Sequence, residues 1–314
     1  MSKHYDIAFV GLGSIGTRHL NNVHAFLDDR GDTYAIDLYR HKLQDSLPEG
    51  VHAQYLYGEE LTKDQQYDIV FITNPTSMHE EAVRMFIGHT KAFFVEKPVF
   101  DKTNVDEELL RQLDGIPNYV ACPLRYNPVL QYVYESGLCK DAIAVRAICS
   151  SYLPDWRPNT DYRQCYSAYR DMGGGVGIDL IHEWDYLTWL LGMPEECHAI
   201  QTKLSGLEID SDDLAMYIAR TKTTGIEVHL DYFGREAIRQ LEVFLPDDTV
   251  RCDILKGTIT YLKSGKQLTF EAKRNAFQLK EISHFFDITD GKIVRDSDVR
   301  HALKVLKIAK GEKV

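Results

Sequence analysis

Short, continuous apolar runs alternate with stretches of helical period along the first third of the chain. Ile7–Val10, Asp68-Ile-Val-Phe-Ile-Thr73, Ala92–Glu96 and Tyr119-Val-Ala-Cys122 read as strands buried on both faces, and Thr33–Arg40 as a further strand. Between them, Ile15, His19, Val23, Phe26 and Leu27 fall near one helical face, and His79–Phe86 and Asp106–Leu113 are helical by composition. Strands separated by helices predict a doubly wound parallel sheet with right-handed crossovers.

After Pro123 the pattern changes. Pro128–Glu135 is helix-like and Ala142–Tyr152 strand-like. A long polar, aromatic loop follows, then a predicted helix from about Ile178 to Leu191, stopped by Gly192 and Pro194. Leu214–Arg220, Ile226–Tyr232, Arg239–Phe244, Thr249–Ile254, Thr258–Leu262 and Gln267–Glu271 are successive strands whose short polar connections suit hairpins. Helices near Leu279–Ile288 and Asp298–Ala309 end the chain. The expected fold class is α/β, with a Rossmann-type parallel sheet over residues 1–122. An α+β domain with a mostly antiparallel sheet is expected over 123–314, its C-terminal helix able to pack back on the first domain.

Length and composition narrow the function. The 314 residues, 44% of them hydrophobic, suffice for two cores. A net charge of −11 weighs against nucleic acid or an anionic membrane as partner. No segment approaches the apolar length of a membrane span, and MSKHYDIAFVG holds no apolar stretch before a cleavage site, so a cytoplasmic location is expected. Cys122, Cys139, Cys149, Cys165, Cys197 and Cys252 form no Cys-x-x-Cys pair and have no zinc-finger spacing to histidine, which predicts reduced thiols and no metal site. An antiparallel sheet with one open face predicts a homodimer or homotetramer.

The candidate chemistry begins at Gly11-Leu-Gly13-Ser14-Ile15-Gly16, which follows an apolar strand and opens an amphipathic helix. That context fits a dinucleotide fingerprint: a tight turn at Gly11, close pyrophosphate approach at Gly13, close helix–strand packing at Gly16, and free helix N–H groups for the phosphates. The second strand ends Asp37-Leu-Tyr39-Arg40-His41-Lys42. Asp37 lies too early to reach a ribose 2′-hydroxyl, whereas Arg40, with His41 beside it, suits a 2′-phosphate. NADP is therefore expected, with NAD as the alternative.

Lys97, in Glu96-Lys97-Pro98, follows a buried strand at its carboxyl end, where open α/β sheets bind ligands; it is suited to stabilising an alkoxide or relaying a proton. Downstream, in Gly173-Gly-Gly-Val-Gly-Ile-Asp179-Leu-Ile-His182-Glu183-Trp184-Asp185, residues Asp179 and His182 are three apart and share a face of the presumed helix. A carboxylate beside a histidine fixes its tautomer, and histidine is suited to exchanging the hydroxyl proton as hydride leaves.

These motifs, with Thr73-Asn74-Pro75-Thr-Ser-Met-His79 and Arg125-Tyr-Asn-Pro128, resemble the glucose–fructose oxidoreductase / inositol dehydrogenase / MocA (Gfo/Idh/MocA) family along essentially the whole chain. The resemblance implies Lys97, Asp179 and His182 as catalytic or substrate-orienting residues. It also implies that Thr73, Asn74, Pro75, His79, Glu96 and Arg125 lie along the cofactor. The commoner family pattern has one more residue between aspartate and histidine, so literal spacing would put Glu183 in the histidine's place. A helix tolerates both spacings on one face, and His182 is taken as the base. The segment Tyr152–Arg170 is rich in Tyr, Trp and Arg. Trp156, Arg157, Tyr162 and Arg163 suit sugar faces and phosphate or carboxylate groups, and the segment looks like family members that make surface-polysaccharide sugars.

The expected activity is hydride transfer between nicotinamide and a secondary alcohol or ketone of a sugar, nucleotide-sugar or cyclic polyol. Two alternatives are a non-catalytic nucleotide-binding regulator and redox-neutral chemistry by transient oxidation with a tightly held cofactor.

Overall fold

The computed structural model describes residues 2–271 and 273–313. The chain divides into two compact units. One runs to Ala121 and takes back Gln278–Leu303; the other holds Cys122–Phe277 and the chain from Lys304 on.

The first unit carries β1 (His4–Val10), α1 (Ser14–Arg30), β2 (Thr33–Arg40), β3 (Ala53–Leu56), β4 (Ile69–Ile72), α2 (His79–Phe86), β5 (Phe93–Val95), α3 (Glu107–Asp114) and β6 (Asn118–Val120). Its sheet has the order β3-β2-β1-β4-β5-β6, with every pair parallel. The apolar runs are its middle strands, and their aromatic side chains stack into one core. Phe9 lies 4.5 Å from Phe71, Phe71 lies 4.9 Å from Phe94, and Phe285 of the returning segment meets both Phe71 and Phe94 edge-on. The order reverses between β1 and β4, the switch point at which such sheets take ligands. β3 is an added strand that the apolar pattern does not mark, being short and only half-buried.

The second unit carries α4 (Pro128–Glu135), β7 (Ala144–Tyr152), α5 (Val176–Asp179), α6 (His182–Leu191), and strands β8 (Glu196–Thr202), β9 (Leu214–Arg220), β10 (Gly225–Asp231), β11 (Phe233–Phe244), β12 (Thr249–Asp253), β13 (Thr258–Tyr261) and β14 (Gln267–Thr269). The helices α7 (Arg274–Thr289) and α8 (Val299–Ala309) follow. The eight-stranded sheet runs β14-β13-β12-β11-β7-β10-β9-β8 and is antiparallel except where β10 meets β7. On one face α5 packs against β9 and β10, and Trp184 of α6 meets Tyr217 of β9 edge-on at 5.3 Å; on the other, Ile200 and Ile218 are about 60% exposed. Among the described residues no helix is long and apolar enough to cross a membrane. Among the described residues no disulfide is formed, and Cys122, Cys139, Cys149, Cys165, Cys197 and Cys252 are all thiols.

The expected single helix from Ile178 to Leu191 is corrected by the structure. α5 is one turn ending at Asp179, Leu180 leaves helical geometry at φ −97° and ψ 27°, and α6 starts at His182. Around the break the backbone bonds are three residues apart, from Ile181 N to Ile178 O and from Glu183 N to Leu180 O, each 3.2 Å. The cause is seating of α5 against its surroundings. A Cβ at Gly177 would stand 2.6 Å from the Tyr217 hydroxyl and 2.8 Å from the Ala309 carbonyl, so the turn packs as close as glycine permits.

Candidate active site

On the first unit, the glycine loop joins β1 to α1. Gly11 has φ +84°, and a Cβ there would meet the Asn74 backbone at 2.7 Å. A Cβ at Gly16 would meet Thr73 Oγ1 at 2.8 Å, whereas one at Gly13 would enter open space. Thr73 Oγ1 donates to Gly11 O at 2.7 Å and ties the loop to β4. Gly13 caps α1 with no side-chain bond, and the first turn, which includes Ser14 and Ile15, carries no acid, so its amides and dipole are left for an anion.

A cleft of about 300 Å³ opens beside this loop, lined by Gly11, Gly13, Arg40, His41, Asn74 and Tyr57 among others, with Lys42 and Pro75 and no carboxylate. Three buried polar atoms in its walls have no hydrogen-bond partner: Arg40 Nη1, Asn74 Oδ1 and the Tyr57 hydroxyl, whose pKa burial pushes up to about 12. Open space at Gly13 together with these orphaned atoms fits a bound dinucleotide. Asp37 points elsewhere. It accepts from the Tyr67 hydroxyl at 2.9 Å and lines a separate cleft of about 570 Å³ with Asp6, Glu59, Glu60 and Asp64. Tyr57 was not marked by the sequence, where it sits in a polar stretch of no clear period.

Lys97 is half-buried just beyond β5, and its bond to Pro98 is cis. Glu96 is turned inward and buried, bonding His19 and the Lys97 amide. His79 is buried beneath both loops. Its Nε2 lies 2.9 Å from Asn74 O, and Nδ1 lies 3.1 Å from both Pro98 O and Val99 O. Burial drives the His79 pKa down against the pull of these carbonyls.

On the second unit, Asp179 is buried at the end of α5 and Oδ2 accepts a 2.5 Å bond from the Tyr232 hydroxyl. Tyr232 follows β10, which brings it to the same end of the sheet as the Trp156 loop. Trp156 meets the Tyr232 ring edge-on at 5.3 Å and donates from Nε1 to Ser151 Oγ at 2.9 Å. Arg157 lies over the Tyr166 ring at 5.5 Å. Both phenols are held protonated: burial and then the Asp179 carboxylate raise the pKa of Tyr232, and the same causes raise that of Tyr166, although Tyr166 is 40% exposed overall. Tyr166 and Tyr232 were not among the expected site residues. Tyr166 stood in the aromatic loop without distinction, and Tyr232 read as a strand residue.

His182 is half-exposed at the first position of α6. Glu183, its neighbour, is fully buried with Oε1 2.7 Å from Arg239 Nε, an ion pair without the alignment of a hydrogen bond. Burial pushes the Glu183 carboxyl up, with the Arg239 charge opposing. Arg125 is buried in the second unit, gripping Asp185 through Nη2–Oδ1 at 2.7 Å and Nε–Oδ2 at 3.0 Å. Tyr162 and Arg163 brace the loop: the Tyr162 hydroxyl accepts from Glu208 N at 3.2 Å, and Arg163 pairs with Asp161 and Glu208 at 2.9 Å each.

The family model described as oxidoreductase family, NAD-binding Rossmann fold (Gfo/Idh/MocA), matches residues 5–114. An uncharacterized oxidoreductase, YrbE, of Bacillus subtilis is 23% identical over 304 residues, covering 91% of this chain and 82% of the relative. An uncharacterized oxidoreductase of Synechocystis is 29% identical over 204 residues, covering 61% of this chain and 52% of the relative, so that match spans about half the relative's length. The WlbA dehydrogenase of Bordetella pertussis, solved with NADH and UDP-GlcNAcA, superposes with a TM-score of 0.76 at 16% identity, covering 98% of this chain and 94% of that one.

Proposed function

On the premise that the chain belongs to the Gfo/Idh/MocA oxidoreductase family, with an NAD-binding Rossmann domain, we propose that it is an NADP-dependent oxidoreductase of a sugar, nucleotide-sugar or cyclic polyol. Bound nicotinamide would accept or return hydride at a secondary alcohol or ketone carbon. Lys97 stabilises the alkoxide or polarises the carbonyl, His182 exchanges the hydroxyl proton at an imidazole nitrogen, and Asp179 orients the substrate. The choice of His182 over Glu183 is supported by burial, because a carboxylate sealed against Arg239 is not available to a substrate hydroxyl.

The observation that carries the proposal is the pairing of chemistries on the two units. One has a carboxylate-free cleft with Arg40 at the fingerprint; the other has an Asp179 carboxylate among Tyr232, Tyr166, Trp156 and Arg157. Aromatic faces suit sugar C–H surfaces, and an arginine at the rim suits a phosphate or carboxylate. The UDP-GlcNAcA bound by the WlbA relative is a ligand of that kind. The test is NADPH-linked turnover across a panel of sugars, uronic acids, nucleotide-sugars and inositols, with Lys97→Met and His182→Ala as controls. Turnover that survives both substitutions refutes the residue roles. Pairing of copies through the sheet face bearing Ile200 and Ile218 belongs to the same proposal, and light scattering that reports a monomer at assay concentration rejects it.

A further inference from the structure

We propose that His19 is a positioning residue for Lys97, acting through Glu96. The inference rests on the reading of Lys97 given above and adds a residue that neither the fingerprint nor the Glu-Lys-Pro motif assigns. His19 lies on the inward face of α1 and is 1% exposed, walled by Phe94 at 4.8 Å and Phe71 at 6.3 Å. Its Nε2 stands 2.5 Å from Glu96 Oε1, while Nδ1 is buried without a hydrogen-bond partner. A proton on Nδ1 would be a buried, unsatisfied donor, so the ring carries its proton on Nε2 and donates it to the carboxylate.

The other oxygen, Glu96 Oε2, accepts the Lys97 amide at 3.0 Å, and Glu96 N donates to Ile72 O at 3.0 Å, which continues the sheet. Burial opposes ionisation of Glu96, but the hydrogen bond from His19, then the charge and amide of Lys97, outweigh it and hold the carboxyl below its ordinary range. A buried carboxylate with both oxygens engaged is a fixed object rather than a free ligand. The helix whose N-terminus faces the phosphate-binding loop is thereby bonded, through one carboxylate, to the backbone of the lysine. Cofactor seating and lysine placement then share one rigid element.

The chain is selectively labelled with [15N]lysine, and the Lys97 amide resonance is identified by its loss in Lys97→Arg. In His19→Leu this resonance is expected to move upfield. Turnover on an active panel substrate falls about tenfold, while the Michaelis constant for NADPH stays within about twofold. His19→Gln, which keeps a donor, restores both. A His19→Leu variant that melts earlier but keeps the wild-type Lys97 resonance and turnover reduces His19 to a packing residue and overturns the proposal. If His19→Leu fails to fold, Glu96→Gln carries the same test at equal volume, with the same amide shift expected and an unmoved amide overturning it. Undiminished turnover in Lys97→Met defeats the functional reading instead, and the amide shift still decides whether the bonded link exists.

Discussion

The phenol of Tyr232 donates a 2.5 Å hydrogen bond to Oδ2 of Asp179, joining residues 53 apart in the chain. Both groups are buried, so the bond fixes which way the carboxylate points. Removing the hydroxyl while keeping the ring, in Tyr232→Phe, should lower kcat/KM for the sugar substrate about tenfold, from the loss of roughly 1–2 kcal/mol of charge-assisted hydrogen bonding. The Michaelis constant for NADPH should not change. Equal loss in both constants would mean that Tyr232 supports the fold at large rather than Asp179.

Adjacent in sequence, His182 and Glu183 are predicted to separate cleanly by readout. Glu183→Ala leaves Arg239 without its buried partner and should cost about 3–5 kcal/mol in urea unfolding. His182→Ala, at a half-exposed helix start, should stay within about 1 kcal/mol of wild type and lose turnover. Near-normal turnover in His182→Ala, with a stable but inactive Glu183→Gln, would reverse the assignment.

Much of the first unit was legible because parallel strands buried on both faces are written as unbroken apolar runs, and because glycines at 11, 13 and 16 have stereochemical uses at those spacings. β8 was not legible: Glu196–Thr202 alternates weakly and leaves both faces partly exposed. The break at Leu180 was hidden because helical periodicity reports composition, whereas the break comes from the close seating of Gly177 on Tyr217 and Ala309. Arg125 and Glu96 show the same limit in the site. Each was marked by a motif, but its bonds run to Asp185 and His19, across 60 and 77 residues, and local spacing holds no record of such pairings.

Cofactor choice should turn on Arg40. Arg40 has an unpartnered nitrogen in a cleft free of carboxylates, and the proposed NADP dependence gives that guanidinium, which can donate but not accept, a phosphate to bond. Arg40→Ser is expected to raise the Michaelis constant for NADPH by about 10–100-fold, the loss of one or two charge-assisted bonds, and to change that for NADH by about threefold at most. Wild-type protein that already prefers NADH would reject NADP dependence outright.

Acid sensitivity of the first unit should include a contribution from Asp290. Burial opposes its ionisation, but bonds from Lys3, Lys292 and Tyr5 outweigh this and pull its pKa from 3.8 to about 2. A depressed carboxylate stabilises the fold above its unfolded pKa and loses that contribution as pH falls through the folded one. Lys3 and Lys292 are more than half exposed, so screening limits the contribution to about 1 kcal/mol. In Asp290→Asn, the stability deficit measured by urea unfolding should be constant from about pH 7 to pH 5 and shrink by roughly half at pH 3. A deficit that stays constant or widens on acidification would show that the substitution acts through packing, with no role for the ionised carboxylate.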